Sequence, residues 1–183
     1  MNLSNPLPPI RLAYEAAQES FRVARRAIKT QQPTVRQRLL QRTQLETQTL
    51  NEAEHLITQN IQEAKGLYVF TLWAAFERFL RDYLQYKYKE AILQQMTPPD
   101  FANVMYNHIN KEVEYWRPED LLDALHESLL KNDPQLAGNA KAIYNYRNWI
   151  AHGKNAKKNV SPVLPKSAYL TLDSIVNILL ANP

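Results

Sequence analysis

Hydrophobic residues recur at intervals of three and four along most of the chain, which is the spacing of amphipathic helices. The most regular run lies between Gly66 and Gln95 and predicts a central core helix. We find no alternating β-branched run between glycine-rich turns, as strands would require, so the pattern predicts an all-α protein. The stripe of the central helix comprises Val69, Trp73, Phe76, Leu80 and Tyr83, thickened by Leu72, Phe79 and Tyr86.

The same periodicity predicts two helices before the central one. The first runs from about Pro9 to Thr30, and the second from Pro33 to Lys65. Gly66 predicts a turn after the second helix, although its stripe also continues in phase through Tyr68, which leaves one long kinked helix as the alternative. The predicted apolar faces are Leu12, Ala16, Val23 and Ala27 in the first helix, and Leu50, Ala53, Ile57, Ile61 and Ala64 in the second.

Four further helices follow a proline-rich break at residues 97–100. Asn132-Asp133-Pro134 is expected to end the second of these four, and Gly153 to cap the third in a left-handed conformation. A basic loop, Lys154 to Lys166, precedes the last helix, and we expect a single domain over residues 1–183. The four helices are predicted at Phe101–Tyr115, Pro118–Lys131, Asn139–His152 and Ser167–Ala181, the last burying Leu172, Ile175, Val176 and Leu179.

The chain has 183 residues, no cysteine and a net charge of +4. This length can bury roughly 70% of the unfolded surface, so folding requires neither disulfides nor a structural metal. The missing thiols exclude cysteine nucleophiles, thiolate zinc sites and iron–sulfur clusters. Residues 1–10 lack the basic and apolar character of a secretion signal, and no apolar run reaches the roughly 20 residues of a membrane span. These features predict a cytoplasmic protein with no membrane partner.

Charge is distributed unevenly along the chain. Residues 1–45 carry eight basic and two acidic side chains, whereas residues 46–133 carry eight basic and fifteen acidic ones. Residues 134–172 carry six basic side chains and no acidic one. Local basic regions of this kind are typical of proteins that bind a phosphate-bearing partner, although a solvated helix face gives the same pattern.

The segment Ile143 to Lys154 places an arginine, an asparagine and a histidine at the end of a predicted helix. Arg147 and His152 are five positions apart, so on an ideal helix they differ by about 140° in direction and roughly 7.5 Å in height. Asn148 and His152, four apart, share a face. Gly153 can loosen the last turn and let the imidazole approach the guanidinium. The spacing therefore predicts a polar cluster at a helix terminus.

This pattern resembles the HEPN family, helical domains of higher eukaryotes and prokaryotes whose nuclease members carry an arginine, a few spacer residues and a histidine. Arg147 and His152 enclose four residues, the first of which is Asn148, and the family favours a polar residue there. The run from Leu72 to Leu80, with an acidic residue inside an aromatic stretch, is similar to the helix that packs beside the motif helix. The resemblance implies a HEPN-like helical bundle, which we expect around the two long antiparallel helices predicted on either side of Gly66.

The resemblance also implies a metal-independent endoribonuclease that needs no cofactor and acts on RNA as a homodimer, with its motif helices meeting across the interface. His152 would then be the general acid and base, Arg147 the phosphate clamp and Asn148 an orienting group, with Glu77 supporting Arg147. Such nucleases resemble toxins of bacterial toxin–antitoxin and antiphage defence systems, which implies a cognate antitoxin, commonly a nucleotidyltransferase-type protein. The residues expected to hold the RNA backbone are Lys154, Lys157 and Lys158.

Plainer interpretations of the same residues stay open. Arg147 can be an ion-pair partner of Glu77, Glu77 can instead pair with Arg81 one turn on, and His152 can be a helix-end residue favoured by the macrodipole. A HEPN-like bundle that only binds RNA or protein, or a structural dimerisation module, would keep the same fold.

Other enzyme classes find less support in the sequence. Glu52 and His55 have the Glu-x-x-His spacing of helical di-iron proteins, but the nearest second copy, Asp123 to His126, begins with an aspartate. The three glycines are too far apart for a phosphate-binding loop, and the chain has no Gly-x-Ser-x-Gly motif.

Overall fold

Seven α-helices and no strand form over residues 3–155 and 160–182, the part of the chain that the computed structural model describes. The prediction of an all-α protein is therefore confirmed. None of the described helices has both the length and the apolar character needed to span a membrane. The helices are α1 (Leu7–Ile28), α2 (Pro33–Leu40), α3 (Leu50–Gln95), α4 (Pro99–Tyr115), α5 (Pro118–Glu127), α6 (Pro134–Ala151) and α7 (Pro165–Ala181).

The central helix differs from the prediction. The continuous helix expected at Pro33–Lys65 is wrong, because the chain breaks after Leu40. The turn expected at Gly66 is also wrong, and the alternative of one long helix through Gly66, ending at Gln95, is confirmed as α3. One glycine costs a helix only about 1 kcal/mol, too little to end a helix whose apolar stripe continues in phase. The pair of long helices around which we expected the bundle is thus replaced by one helix of 46 residues.

The start of α3 is determined by a local capping motif that is visible in the sequence. The Thr49 hydroxyl donates to the Glu52 carboxylate at 2.7 Å, and the Thr49 backbone N–H donates to the same carboxylate at 2.9 Å. The Glu52 N–H in turn donates to the Thr49 hydroxyl oxygen at 3.4 Å. A threonine followed three residues later by a glutamate is a capping box, which begins a helix at the next residue.

The described chain forms two compact units, one of Met1–Pro8 with Val69–Pro183 and the other of Pro9–Tyr68. In the second unit, the predicted buried face of α1 is confirmed only at Ala27, since Ala16 is exposed, Leu12 is 64% exposed and Val23 is 62% exposed. The side of α1 that faces the core is instead a parallel apolar stripe that carries the aromatic residues of the helix. Aromatic side chains bury more apolar surface than the aliphatic side chains of the predicted face. The buried cluster of this unit is Ala27, Ile28, Leu40, Ala53 and Ile57, with Phe21, Ala24, Leu45 and Ile61 packed against it.

The core of the larger unit follows the predicted stripes. The predicted stripe of α3 is buried at Val69, Trp73, Phe76, Leu80 and Tyr83. This stripe and the stripe predicted in α7 are therefore both confirmed. The α7 residues Leu172, Ile175, Val176 and Leu179 are fully buried.

Two boundaries in this unit are shifted by four or more residues from their predicted places. The second helix after the break ends at Glu127, four residues early, and α6 begins at Pro134 rather than Asn139. Asp133 caps α6, since its carboxylate accepts a hydrogen bond from the Leu136 N–H at 3.0 Å. The Asp-Pro pair therefore begins a helix, a common use of aspartate as N-cap and proline as the first helical residue.

Candidate active site

The carboxyl end of α6 is closed by a two-bond cap around Gly153. The Lys154 N–H donates to the Trp149 carbonyl at 2.9 Å, and the Gly153 N–H donates to the Ile150 carbonyl at 3.1 Å. Gly153 has φ +75° and Lys154 has φ +56°, so the prediction of a left-handed cap at Gly153 is confirmed. These two bonds are those of a Schellman motif, which fixes the direction in which the chain leaves the helix.

Arg147 lies half-buried on α6, against α3. Its Cζ is 5.1 Å from the centroid of the Phe70 ring, a cation–π contact. Its Nη1 donates to the Asn148 Oδ1 at 2.8 Å. Its Nε is buried and has no acceptor within the described chain. The guanidinium is therefore fixed by one ring and one carboxamide, and no carboxylate among the described residues neutralises it.

His152 is exposed and lines a cavity of about 420 Å³ at the end of α6. The backbone N–H of His152 donates to the backbone carbonyl of Asn148 at 3.0 Å. Helical hydrogen bonding therefore persists up to His152, and the loosened last turn that we expected is not formed. Arg147 does not line this cavity. Within one chain the two motif side chains point in different directions, as the angle of about 140° between them requires.

Asn148 is the residue that touches both sides of the motif. Its Oδ1 accepts from Arg147, and its side chain lines the same cavity as His152, which confirms the predicted shared face. Burial raises the pKa of Tyr144, while a hydrogen bond with Asn148 opposes this rise and one with Glu119 adds to it. The Asn148 carboxamide is therefore held by an arginine and by a buried tyrosine.

The sequence analysis did not find Tyr144 and Glu119. Tyr144 precedes Asn148 by four residues, so the helical spacing carried a signal for it. Glu119 comes from α5, and no pattern in the sequence links it to α6.

Glu77, expected to support Arg147, is engaged elsewhere within the chain. Its Oε1 pairs with Arg81 at 2.8 Å, and its Oε2 accepts from the Trp73 Nε1 at 3.0 Å. Arg81 is buried and also donates to the carbonyls of Val113 and Trp116. The alternative in which Glu77 pairs with Arg81 is thus confirmed, and Arg147 is not an ion-pair partner of Glu77.

The walls of the cavity are mostly polar and aromatic. Trp149 stacks on Tyr146 with ring centroids 5.7 Å apart, and its Nε1 donates to the Asn155 carbonyl at 3.0 Å. Tyr146 does not line the cavity, whereas Trp149 does. The sequence analysis did not assign Trp149 to the site, although it lies three residues before His152 on the same helix. The lining residues are Ala142, Asn145, Asn148, Trp149, His152, Asn155, Val160 and Ser161.

Of the lysines expected to hold RNA, Lys154 follows the glycine cap and is half-buried. Lys157 and Lys158 lie outside the described residues. All three belong to residues 134–172, which contain no acidic side chain. An anion that approaches the end of α6 meets no carboxylate from this stretch.

Glu52 of the di-iron alternative is engaged at the start of α3, where its carboxylate accepts from the Thr49 hydroxyl at 2.7 Å. Among the residues that the structure describes, no group of three or more histidine, aspartate and glutamate side chains could hold a metal ion.

Comparison with models of known families, with curated proteins and with solved structures found no match to the chain. The family resemblance of the segment around Arg147 and His152 therefore stays a prediction from the residues themselves.

Proposed function

We propose that the protein is a metal-independent endoribonuclease of the HEPN type, acting as a toxin in a toxin–antitoxin or antiphage defence system. The observation that carries the proposal is the contact of Asn148 with Arg147 on one side and with the His152 cavity on the other. A fixed guanidinium and an exposed imidazole at one helix end, in a stretch without carboxylates, are the groups that phosphodiester cleavage needs.

The chemistry assigns a role to each group. A base removes the proton of the ribose 2′-hydroxyl, the 2′-oxygen attacks the adjacent phosphorus, and the O5′ leaves with a proton from an acid. The products are a 2′,3′-cyclic phosphate and a 5′-hydroxyl. An imidazole can serve as base or acid near neutral pH, so His152 takes these proton transfers. The planar fork of Arg147 binds two phosphate oxygens as charge grows on them.

A homodimer is part of the proposal because one chain has too few groups. Each chain offers one histidine at this site, whereas the reaction needs a base and an acid on opposite sides of the phosphorus. Arg147 and His152 of one chain also point apart. Two motif helices that meet across a two-fold axis would supply two of each residue to one phosphodiester.

The test is cleavage of a single-stranded RNA in EDTA by wild type and by His152→Ala. His108→Ala is the matched control, since His108 is exposed like His152 but lies near the middle of α4, outside the site. An RNA with 2′-O-methyl groups is the chemical control, because it lacks the attacking hydroxyl. We expect wild type and His108→Ala to cut the RNA and leave cyclic phosphate ends. His152→Ala should not cut this RNA, and none of the three proteins should cut the methylated strand.

The other results discriminate between classes of function. Binding of RNA without cleavage by any variant would favour a non-catalytic RNA-binding module. Equal cleavage by wild type and His152→Ala would assign the activity to another group and refute the role of His152. Growth arrest on expression of wild type, relieved in His152→Ala, would support the toxin assignment and give the assay in which an antitoxin can be sought.

A further inference from the structure

The cavity at the end of α6 has a lining suited to one nucleobase. We propose that it binds an unpaired adenine of the RNA substrate, next to the cleaved linkage. This inference rests on the proposed function for the identity of the polymer, and it adds recognition of the base.

The cavity is built mainly on one face of α6. Positions 142, 145, 149 and 152 follow one another at intervals of three and four, so they point in the same direction. Val160 and Ser161, from the segment before α7, also line the cavity. A volume of about 420 Å³ falls within the range of small-ligand pockets, roughly 300–1,000 Å³. The space therefore accommodates a base together with part of its ribose.

The polar groups of the described lining fit adenine better than guanine or cytosine. Among the described residues they include the carboxamides of Asn145, Asn148 and Asn155 but no carboxylate and no lysine or arginine. An asparagine carboxamide can accept from the adenine N6 and donate to N7, whereas guanine is typically read by arginine or lysine and cytosine by a carboxylate. Asn145 is exposed and its side chain has no hydrogen-bond partner in the described chain, unlike Asn148. Asn145 is therefore the residue that reads the base.

The aromatic wall supplies the second element of single-strand recognition. Unpaired bases are commonly bound by stacking on an aromatic side chain combined with hydrogen bonds to their edges. The indole of Trp149 is fixed by Tyr146 on one face and by the bond from its Nε1 to the Asn155 carbonyl. His152 lines the same cavity, so a base bound there places its own ribose beside the imidazole.

The experiment measures cleavage of uridine oligomers in which one central base is adenine, guanine, cytosine or uracil. The variants are Asn145→Ala, Asn145→Asp and, as a matched control from the same helix, Asn139→Ala. We expect wild type and Asn139→Ala to cut beside adenine about tenfold faster than beside uracil. Asn145→Ala should bring this ratio close to one. Asn145→Asp should shift the preference toward cytosine, since a carboxylate accepts from the cytosine N4.

Calorimetric binding of adenosine and uridine 5′-monophosphates to the full chain separates the two proposals. Equal cleavage of all oligomers, without preferential binding of adenosine monophosphate, would overturn the adenine site and leave the endoribonuclease intact. An adenine preference that Asn145→Ala does not change would equally overturn the assignment of Asn145. Tighter binding of adenosine monophosphate that depends on Asn145, without cleavage of any oligomer, would uphold the site and refute the nuclease.

Discussion

Two glycines of one helix should respond in opposite directions to the same substitution. Gly138 lies inside α6 and Gly153 caps it, and a Cβ added at either position meets no atom of the described residues within 4 Å apart from its chain neighbours and the local helix backbone. Steric contacts are therefore equal at the two sites. Only the backbone differs, since Gly153 has φ +75° and Gly138 is helical.

The expected magnitudes follow from that difference. Alanine at Gly138 should stabilise the protein by about 0.5–1 kcal/mol, because it restricts the unfolded chain and suits a helix. Alanine at Gly153 should cost about 1–2 kcal/mol, because a Cβ is unfavourable in the left-handed conformation. The two variants should thus differ by about 2 kcal/mol, which for a chain of this size corresponds to roughly 4–8 °C in Tm.

The assay is thermal unfolding of both alanine variants followed by helical circular dichroism, with Gly153→Asn as a further control. Asparagine tolerates the left-handed region better than alanine, so Gly153→Asn should lose less stability. If Gly153→Ala raised the Tm as much as Gly138→Ala, the left-handed cap would not be the determinant of the end of α6.

Three further outcomes are expected. Arg81→Ala should lower the free energy of unfolding by about 3 kcal/mol, because it leaves a half-buried carboxylate and two backbone carbonyls without the arginine donor. Denaturant titration measures this loss, and a free energy of unfolding unchanged within error would refute the role of Arg81. Arg78 holds the pKa of Glu114 below its usual value of 4.5. The pair therefore stabilises the protein fully above pH 4.5 and progressively less as the pH falls through the pKa of Glu114 in the folded protein. The difference in Tm between wild type and Glu114→Gln should shrink on acidification, and a constant difference would contradict this expectation. Replacement of Lys157 and Lys158 by alanine should reduce the slope of the logarithm of the RNA-binding constant against the logarithm of salt concentration by about 1.4. Filter binding at several salt concentrations measures this slope, and an unchanged slope would exclude these lysines from phosphate contact.

The sequence predicted well what depends on strong local periodicity. The stripes of α3 from Val69 to Tyr83 and of α7 are dense enough to leave one choice of buried face. In α1 two apolar stripes run in parallel, and the face that is buried depends on side chains from distant segments, such as Tyr68, which stacks on Tyr14 with centroids 4.1 Å apart. The periodicity of α1 alone could not decide between them.

The site shows the same division between local and long-range information. The cap at Gly153 and the shared face of Asn148 and His152 were predictable, because both depend on neighbours within one helical turn. The partner of Glu77 and the place of Glu119 beside Tyr144 depend on contacts between helices. Spacing along the chain carries no information on such contacts, so the sequence left them open or missed them.

The buried Nε of Arg147 places stability in opposition to the proposed phosphate-binding role at one position. A buried donor without an acceptor costs about 1–3 kcal/mol, and the contact of the guanidinium with Phe70 returns only about 0.5–2 kcal/mol. Methionine could fill the same space without an unpaired donor. Selection of a random library for thermal resistance alone should therefore discard arginine at position 147, whereas selection for a working phosphate site should retain it. The identity of the residue that survives would show which requirement shaped this end of the helix.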